Sequence, residues 1–407
     1  MLTPPVILIV LCAIATYALI SRRLANSIVS MPMVFAALGF LLGQVGLQLV
    51  PMETENEVIQ AIAEITLILV LFSDASQVKT SLLRCNVAIP TRMLLIGMPL
   101  SILLGTLVAR WASPNQPWAL AFLLAATLTP TDAALGQSVV SSPAVPKRIS
   151  QSINVESGLN DGLALPVVLV AAIAAADEIL VTEGVPDNVA LFALLQVILG
   201  PIAGAVIGFI AAKLLDLAVR HKTATMVEQG LYFLAIAFVS YFGAELVGGN
   251  GFIAAFVGGL VFGNTLRTSS EFINEFMEGE GQLLTMLTFL VFGAVLAPLG
   301  LSHASWRTVV VAISFLTFVR LIPIWISLTG LNLSSYERFF LGWFGPRGLA
   351  SILFSLLVLE QFSLPGQDEL IACVVLTVLL SIVLHGITAV PMSNLFAKRM
   401  QRSTMAE

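Results

Sequence analysis

The chain has 407 residues, of which 58% are hydrophobic and only 11% are charged, and its formal net charge is −5. Its mean hydropathy is +0.98. A soluble domain cannot bury so much apolar surface while it keeps so few charged residues outside. The composition therefore excludes a soluble globular protein and predicts an all-α polytopic membrane protein whose charged residues lie mainly in short loops.

Apolar segments follow one another along the whole sequence. A helix needs about 20 residues to cross the hydrocarbon layer, and by that measure we predict about thirteen transmembrane helices. In chain order they centre on 4–20, 31–50, 57–75, 93–110, 117–140, 151–176, 188–218, 229–247, 250–265, 281–299, 307–329, 337–358 and 369–395. We therefore expect a single transmembrane domain over residues 1–397, followed by a short tail at 398–407.

Positive charges are distributed unevenly between the two sets of loops. Fifteen of the 19 Lys and Arg residues fall in one set, whereas only Arg110 and Arg307 fall in the other. In membrane proteins the cytoplasmic loops carry the excess of Lys and Arg. We therefore predict a multi-pass protein of the cell inner membrane, with its N-terminus outside and its C-terminal tail in the cytoplasm.

Two predicted spans are interrupted near their middle, the fifth by Thr129–Asp132 and the twelfth by Gly345–Gly348. Each interruption contains a proline, which lacks a backbone donor and kinks or unwinds a helix. Broken helices at corresponding positions of two halves are typical of transporters built from inverted repeats. We predict two inverted six-helix repeats, at about 1–176 and 229–397, with crossing breaks in helices 5 and 12 and with the seventh helix (188–218) as the linker.

The sixth span carries Glu156, Ser157, Asn160 and Asp161 in an otherwise apolar stretch. Ionisable groups inside a bilayer are costly and usually mark an ion or proton path. Asp161 can offer a carboxylate and Ser157 a hydroxyl to a small cation, with backbone carbonyls near Thr129 as further oxygen ligands. Because a proton and a metal ion exclude each other on one carboxylate, the pattern predicts exchange of the two.

Other charged residues are expected to support this site. Glu156 needs a positive partner, and Arg320 and Arg347 are the only cations that the sequence places deep within predicted spans and not near their ends. We predict a structural Glu156–Arg320 ion pair, with a direct role of Glu156 in proton transfer as the alternative. Asp132 and Arg347 belong to the two breaks, where helix N-termini carry positive and C-termini negative partial charge. We expect Asp132 to neutralise the former and Arg347 the latter.

Five further polar residues carry weaker expectations. Asp74, at the cytoplasmic end of the third span, could line an inner funnel that leads to the site, or could cap a loop. Glu64 and Glu245 could each face a cavity or reach toward water. Thr131 is expected to form a local hydrogen bond within the kinked fifth helix, with a functional role as the alternative. His385 is expected to be exposed or to face a cavity, with pH sensing as the alternative.

The motifs occur in the same order as in a known family. The matching segments are 129–132 (Thr-Pro-Thr-Asp), 156–161 (Glu-Ser-Gly-Leu-Asn-Asp), Arg320, 345–348 (Gly-Pro-Arg-Gly) and 385–391 (His-Gly-Ile-Thr-Ala-Val-Pro). Over essentially its whole length the chain resembles the monovalent cation:proton antiporters, in particular the NhaP-type Na⁺/H⁺ exchangers.

The resemblance implies a homodimer in which a dimerisation bundle supports a mobile six-helix core that moves the site across the membrane. It implies that Asp161 carries Na⁺ and H⁺ alternately, with Ser157 and the Thr129 carbonyl as ligands. It further implies that Asn160 stands where electrogenic relatives have a second aspartate, so that exchange is electroneutral. Neither a cofactor besides the transported ions, nor a nucleic-acid partner, nor an enzymatic activity is implied.

The sequence thus predicts a secondary active antiporter that exchanges Na⁺ or Li⁺ for H⁺ across the bilayer. K⁺/H⁺ exchange is the close alternative, because selectivity depends on the size of the binding cavity. A cation channel is disfavoured, since the sequence shows no filter repeated by symmetry. The acidic residues Asp132, Glu156 and Asp161 disfavour an organic-anion symporter.

Overall fold

The computed structural model describes residues 4–24, 27, 29–49, 57–78, 88–132, 135, 139, 142, 145–176, 178–179, 189–268 and 271–404. Its helices, labelled in chain order, are α1 (Pro4–Leu24), α2 (Met31–Leu42), α3 (Glu57–Gln77), α4 (Ala88–Ala112), α5 (Trp118–Leu128), α6 (Lys147–Ala175), α7 (Val189–Arg220), α8 (Met226–Glu245), α9 (Gly251–Thr265), α10 (Glu271–Val291, continued by Phe292–Leu296 and Ala297–Ser302), α11 (Trp306–Ser327), α12a (Ser335–Trp343), α12b (Leu349–Gln361) and α13 (Gln367–Thr404).

A helix is present at the position of each of the predicted spans. Among the described residues, eight helices are long and apolar enough to cross a membrane, and α2, α5, α9 and α12b are shorter apolar helices. The prediction of an all-α polytopic membrane protein is therefore confirmed. The number of thirteen crossings and the inverted repeats stay predictions. At its C-terminal end α13 continues to Thr404, into the segment that we predicted to be a tail.

Several helices begin with polar caps that the sequence supplies. Thr225 and Glu228 form a capping box at the start of α8, and Ser334 and Glu337 form another at the start of α12a. The side chain of Asn250 accepts a hydrogen bond from Ile253 N at 3.0 Å at the start of α9. Each cap pairs backbone amides that the first turn of a helix leaves without partners.

The outer surface of the molecule is apolar. Leu19 in α1 has 87% of its surface exposed, Leu95 in α4 has 67%, and Ile202 in α7 has 55%. Exposed apolar side chains on many helices form the surface that a membrane protein presents to lipid tails. The buried core alone does not account for the high mean hydropathy of the chain. The exposed apolar side chains account for the rest.

Close glycine contacts join helices of the two predicted halves. A Cβ added to Gly259 in α9 would lie 2.2 Å from Phe72 O in α3, and one added to Gly39 in α2 would lie 2.0 Å from Leu290 O in α10. Glycine is therefore required where these backbones meet, as at many helix contacts in membranes. In the predicted repeat, α2 corresponds to α9 and α3 corresponds to α10. The contact between α9 and α3 is therefore the counterpart of the contact between α2 and α10, which supports the repeat.

One short sheet joins the ends of two helices near the predicted outer side. Strand β1 (Glu178–Ile179), just after α6, pairs antiparallel with β2 (Phe362–Ser363), just after α12b. These strands were not predictable from the sequence, because two residues are too few for an alternating pattern to be recognised.

Candidate functional site

The two predicted breaks lie against each other in the middle of the molecule. Helix α5 ends at Leu128, and the extended segment 344–348 separates α12a from α12b. Across the crossing, Asp132 N donates to Pro346 O at 2.8 Å, and Ser351 Oγ donates to Thr127 O at 2.8 Å. The polypeptide at each break thus satisfies backbone groups of the other.

Asp132 lies at the start of α12b. Its Oδ2 accepts a hydrogen bond from Leu349 N, the first amide of that helix, at 2.7 Å. A Cβ on Gly348 would lie only 2.0 Å from the same oxygen. Asp132 therefore occupies the helix N-terminus that we expected it to neutralise, and a glycine at 348 is what lets the carboxylate approach.

Helix α6 contacts the first break through two neutral side chains. Ser157 Oγ donates to Thr131 O at 2.6 Å, and Asn160 Nδ2 donates to Thr131 Oγ1 at 2.6 Å. All three residues are buried. The hydroxyl of Thr131 therefore accepts a hydrogen bond from α6, because the unwound segment brings this residue against that helix. The hydroxyl of Thr129, by contrast, donates to Ala125 O within α5 at 2.7 Å, so any contribution of Thr129 to an ion would come from its carbonyl.

Asp161 lies beside these contacts and is only partly exposed. Its Oδ1 is buried and has no hydrogen-bond partner within the described part of the chain. The carboxylates of Asp74, Asp132 and Glu156 act on it electrostatically, and the ion pairs found among the described residues do not include it. An anionic oxygen in such surroundings lacks a compensating charge.

The ion pair expected between α6 and α11 is present. Arg320 donates to both oxygens of Glu156, with Nη1–Oε1 at 2.5 Å and Nη2–Oε2 at 2.7 Å. Both residues are at most 2% exposed. Arg320 lies just after Thr317, where α11 is interrupted by a residue with φ −115° and ψ −106°. The bidentate geometry fixes α11 against α6 next to Asp161.

Arg347 is the most deeply buried cation of the site. It is 0% exposed, and its Nη1 donates to Gly345 O, just beyond the C-terminus of α12a. This places its charge at the negative helix end that we expected it to neutralise. Its Nε and Nη2 have no hydrogen-bond partner among the described residues.

The remaining acidic candidates lie on two sides of the crossing. Asp74 in α3 is partly buried, and a Cβ on Gly158 in α6 would lie 3.5 Å from Asp74 O, so that α3 contacts α6 one turn before Asp161. Glu64 lines a separate cavity together with Tyr241. Glu245 is exposed and accepts a hydrogen bond from Gly251 N at 2.9 Å.

Two serines at the crossing were not among the predicted site residues: Ser351 in α12b, which donates to Thr127 O of α5, and Ser381 in α13, which binds the second break. Ser381 Oγ accepts a hydrogen bond from Arg347 N at 2.7 Å. Their signal in the sequence is weak, because a hydroxyl in a transmembrane helix is satisfied by its own backbone as readily as by a neighbouring helix.

Comparison with known proteins agrees with this architecture. The family described as "Sodium/hydrogen exchanger, transmembrane" matches residues 7–395. The Na⁺/H⁺ antiporter NhaH of Halobacillus dabanensis is 29% identical over 300 residues, which are 72% of either chain. The K⁺/H⁺ antiporter NhaP2 of Shewanella baltica is 24% identical over 360 residues, which are 87% of this chain but only 60% of that protein.

A solved structure has the same fold. The sodium proton antiporter MjNhaP1 of Methanocaldococcus jannaschii superimposes with a TM-score of 0.78 at 19% sequence identity, covering 96% of this chain and 97% of that one. The family match extends over nearly the whole chain, including both breaks and α6. The chain is a multi-pass membrane protein of the sodium/hydrogen exchanger family.

Proposed function

We propose that the protein is a secondary active antiporter that exchanges Na⁺ or Li⁺ for H⁺ at Asp161. The observation that carries this proposal is the buried Asp161 Oδ1, which has no hydrogen-bond partner in the described part of the chain. A proton or a small cation would each satisfy that oxygen, and a single carboxylate cannot bind both. Competition for one group is the minimal form of antiport.

The surrounding groups suit a hard cation. Ser157 Oγ and the backbone near Thr129 and Thr131 supply neutral oxygen atoms, and hard cations prefer oxygen ligands. In the proposal, Na⁺ is bound by Asp161, Ser157 and the Thr129 carbonyl. Asn160 holds Thr131 in place through its amide and adds no titratable charge, so that one Na⁺ is exchanged for one H⁺.

Glu156 and Arg320 have a structural role in this scheme. An arginine remains charged at physiological pH, and a carboxylate held by it in a bidentate pair is a poor proton carrier. Asp132 and Arg347 hold the broken helices, and Asp74 attracts cations toward Asp161 from the cytoplasmic side. Alternating access would move this group of helices as a unit, in a homodimer of the inner membrane with its N-terminus outside.

Exchange of K⁺ for H⁺ is the second candidate. The relatives include NhaP2 of Shewanella baltica, whose name is K⁺/H⁺ antiporter, beside NhaH, whose name is Na⁺/H⁺ antiporter. Both candidates use the same carboxylate and differ only in the ion that fits between its ligands.

Everted membrane vesicles with an imposed ΔpH provide the test. Addition of Na⁺ or Li⁺ is expected to dissipate ΔpH, as followed by a fluorescent pH probe, and a response to K⁺ instead would favour the second candidate. The Asp161→Asn variant is expected to abolish the response. Asp368→Asn, at an exposed position, is the matched control. A normal response of Asp161→Asn, or no response of the wild type to any of the three ions, would contradict the proposal.

A further inference from the structure

The break in helix 12 separates two backbone groups that would be partners in a continuous helix. In an α-helix the N–H of Arg347 would donate to the C=O of Trp343, four residues earlier. Here α12a ends at Trp343, whose C=O accepts a local hydrogen bond from Gly345 N at 2.9 Å, and both groups also contact α13. Arg347 N donates to Ser381 Oγ at 2.7 Å, and His385 Nε2 lies 2.9 Å from Trp343 O.

Ser381 and His385 connect these two groups. Ser381 Oγ lies 3.1 Å from His385 Nδ1, and the two residues are one turn apart on the same face of α13. We propose that Ser381 and His385 are positioning residues for the ion site, which keep helix 12 broken by bridging Arg347 N–H and Trp343 C=O in series. The inference deepens the proposed function and rests on it.

The protons of the bridge can be counted. Ser381 Oγ accepts from Arg347 N–H, so its own proton is available for His385 Nδ1, and the proton of a neutral imidazole on Nε2 is then directed at Trp343 O. With the proton on Nε2, every donor in this series has an acceptor. His385 Nδ1 also lies 3.0 Å from Ser381 O, to which it would donate in the other tautomer or in the charged ring. The charges of Arg347 and Arg320 both act on the ring, and the neutral ring adds no third positive charge. His385 is 2% exposed, so the expectation that it would be exposed or face a cavity is wrong.

A second contact attaches α12a to the same part of α13. Trp343 Nε1 donates to Thr388 Oγ1 at 3.0 Å, and the rings of Trp343 and His385 have centroids 5.6 Å apart. The C-terminus of α12a is therefore bound on α13 by both its backbone and its last side chain. The bridge through Ser381 and His385 therefore acts on α12a while the Trp343 side chain also holds this helix against α13.

The bridged segment leads directly to the ion site. Pro346 and Leu349, on either side of the bridged amide, both bond to Asp132. The preceding residue, Thr131, receives the hydrogen bonds of Ser157 and Asn160. A shift of the break would therefore displace the oxygen atoms around Asp161, although neither α13 residue is itself a ligand.

Two matched pairs of variants test the bridge. His385→Gln retains an acceptor for Ser381 and a donor for Trp343 O, whereas His385→Leu removes both at similar size. Ser381→Thr retains the hydroxyl, and Ser381→Ala removes it. Ser381→Ala leaves the buried Arg347 N–H without its acceptor, whereas His385→Leu removes the acceptor of the Ser381 hydroxyl and leaves Trp343 O with the Gly345 N–H alone. Each is expected to raise the apparent KM for Na⁺ by about tenfold, while the Gln and Thr variants stay close to the wild type. The double variant with Leu and Ala is expected to be no worse than either single one, because both interrupt the same series.

Thr377→Val is the control within α13, since Thr377 is buried and bonds only to Cys373 O of its own helix among the described residues. Hydrogen–deuterium exchange of the peptide that contains Arg347 gives a readout independent of transport. Exchange of that peptide is expected to be faster in the Leu and Ala variants. Equal KM values for the Leu and Gln variants, or unchanged exchange in both Leu and Ala variants, would overturn the bridge. Lack of Na⁺/H⁺ exchange by the wild type would instead overturn the proposed function.

Discussion

At the scale of single residues, Thr131 is the connection between the broken fifth helix and α6. Its carbonyl and its hydroxyl accept hydrogen bonds from two different residues of α6. The sequence indicated that this threonine lies in a break, yet it did not indicate where the hydroxyl points, because that depends on the path of the unwound chain. Its neutral hydroxyl thereby binds Asn160, the residue before Asp161, without adding charge to the site.

Thr131→Val is expected to raise the apparent KM for Na⁺ by about tenfold, because it leaves the buried Asn160 amide without its acceptor. Thr131→Ser keeps the hydroxyl and is expected to behave like the wild type. Initial rates of ΔpH dissipation over a range of Na⁺ concentrations give the apparent KM of each variant. Equal KM values for the Val and Ser variants would show that this hydrogen bond does not shape the site.

A variant of the Glu156–Arg320 pair distinguishes a structural role of Glu156 from a role in proton transfer. Glu156→Gln leaves the buried Arg320 without a counter-charge, and breaking a buried pair in this way costs about 3–5 kcal/mol. We expect a lower melting temperature in detergent and a loss of folded protein. A variant that melts like the wild type but no longer exchanges ions would instead assign Glu156 to the proton path.

At the scale of elements, the crossing of the two breaks depends on one glycine. Gly348 leaves no room for a Cβ beside Asp132 Oδ2, whereas Gly279 in α10 has open space around it. Gly348→Ala is expected to displace the Asp132 carboxylate from the start of α12b and to abolish exchange, while Gly279→Ala retains it. Measurement of ΔpH dissipation in matched vesicle preparations makes the comparison, and wild-type rates in Gly348→Ala would contradict the packing argument.

The elements themselves were largely predictable from hydropathy and from the two prolines. The positions of the helices, both breaks and the Glu156–Arg320 pair follow from the cost of placing charge and unsatisfied backbone in a membrane. Ser351, Ser381 and the buried ring of His385 did not follow, since neutral polar groups have several ways to be satisfied. Their partners are chosen by tertiary packing, which hydropathy does not encode.

At the scale of the whole molecule, the distribution of Lys and Arg predicts which side each loop faces. Thr223, between α7 and α8, and Ala304, between α10 and α11, are both exposed and lie on opposite sides in this topology. In a background without the three cysteines, Thr223→Cys is expected to react with a membrane-impermeant maleimide in everted vesicles, and Ala304→Cys in right-side-out vesicles. The reverse labelling pattern would show that the protein has the opposite orientation in the membrane.

The account as a whole depends on the mutual exclusion of Na⁺ and H⁺ at Asp161, and proton release measures it most directly. When Na⁺ is added to purified protein in weakly buffered solution, we expect about one proton to be released for each Na⁺ bound, since a metal ion displaces the proton of its ligand. The Asp161→Asn variant is expected to release none. Sodium binding without proton release in the wild type, or an equal release from Asp161→Asn, would contradict the account.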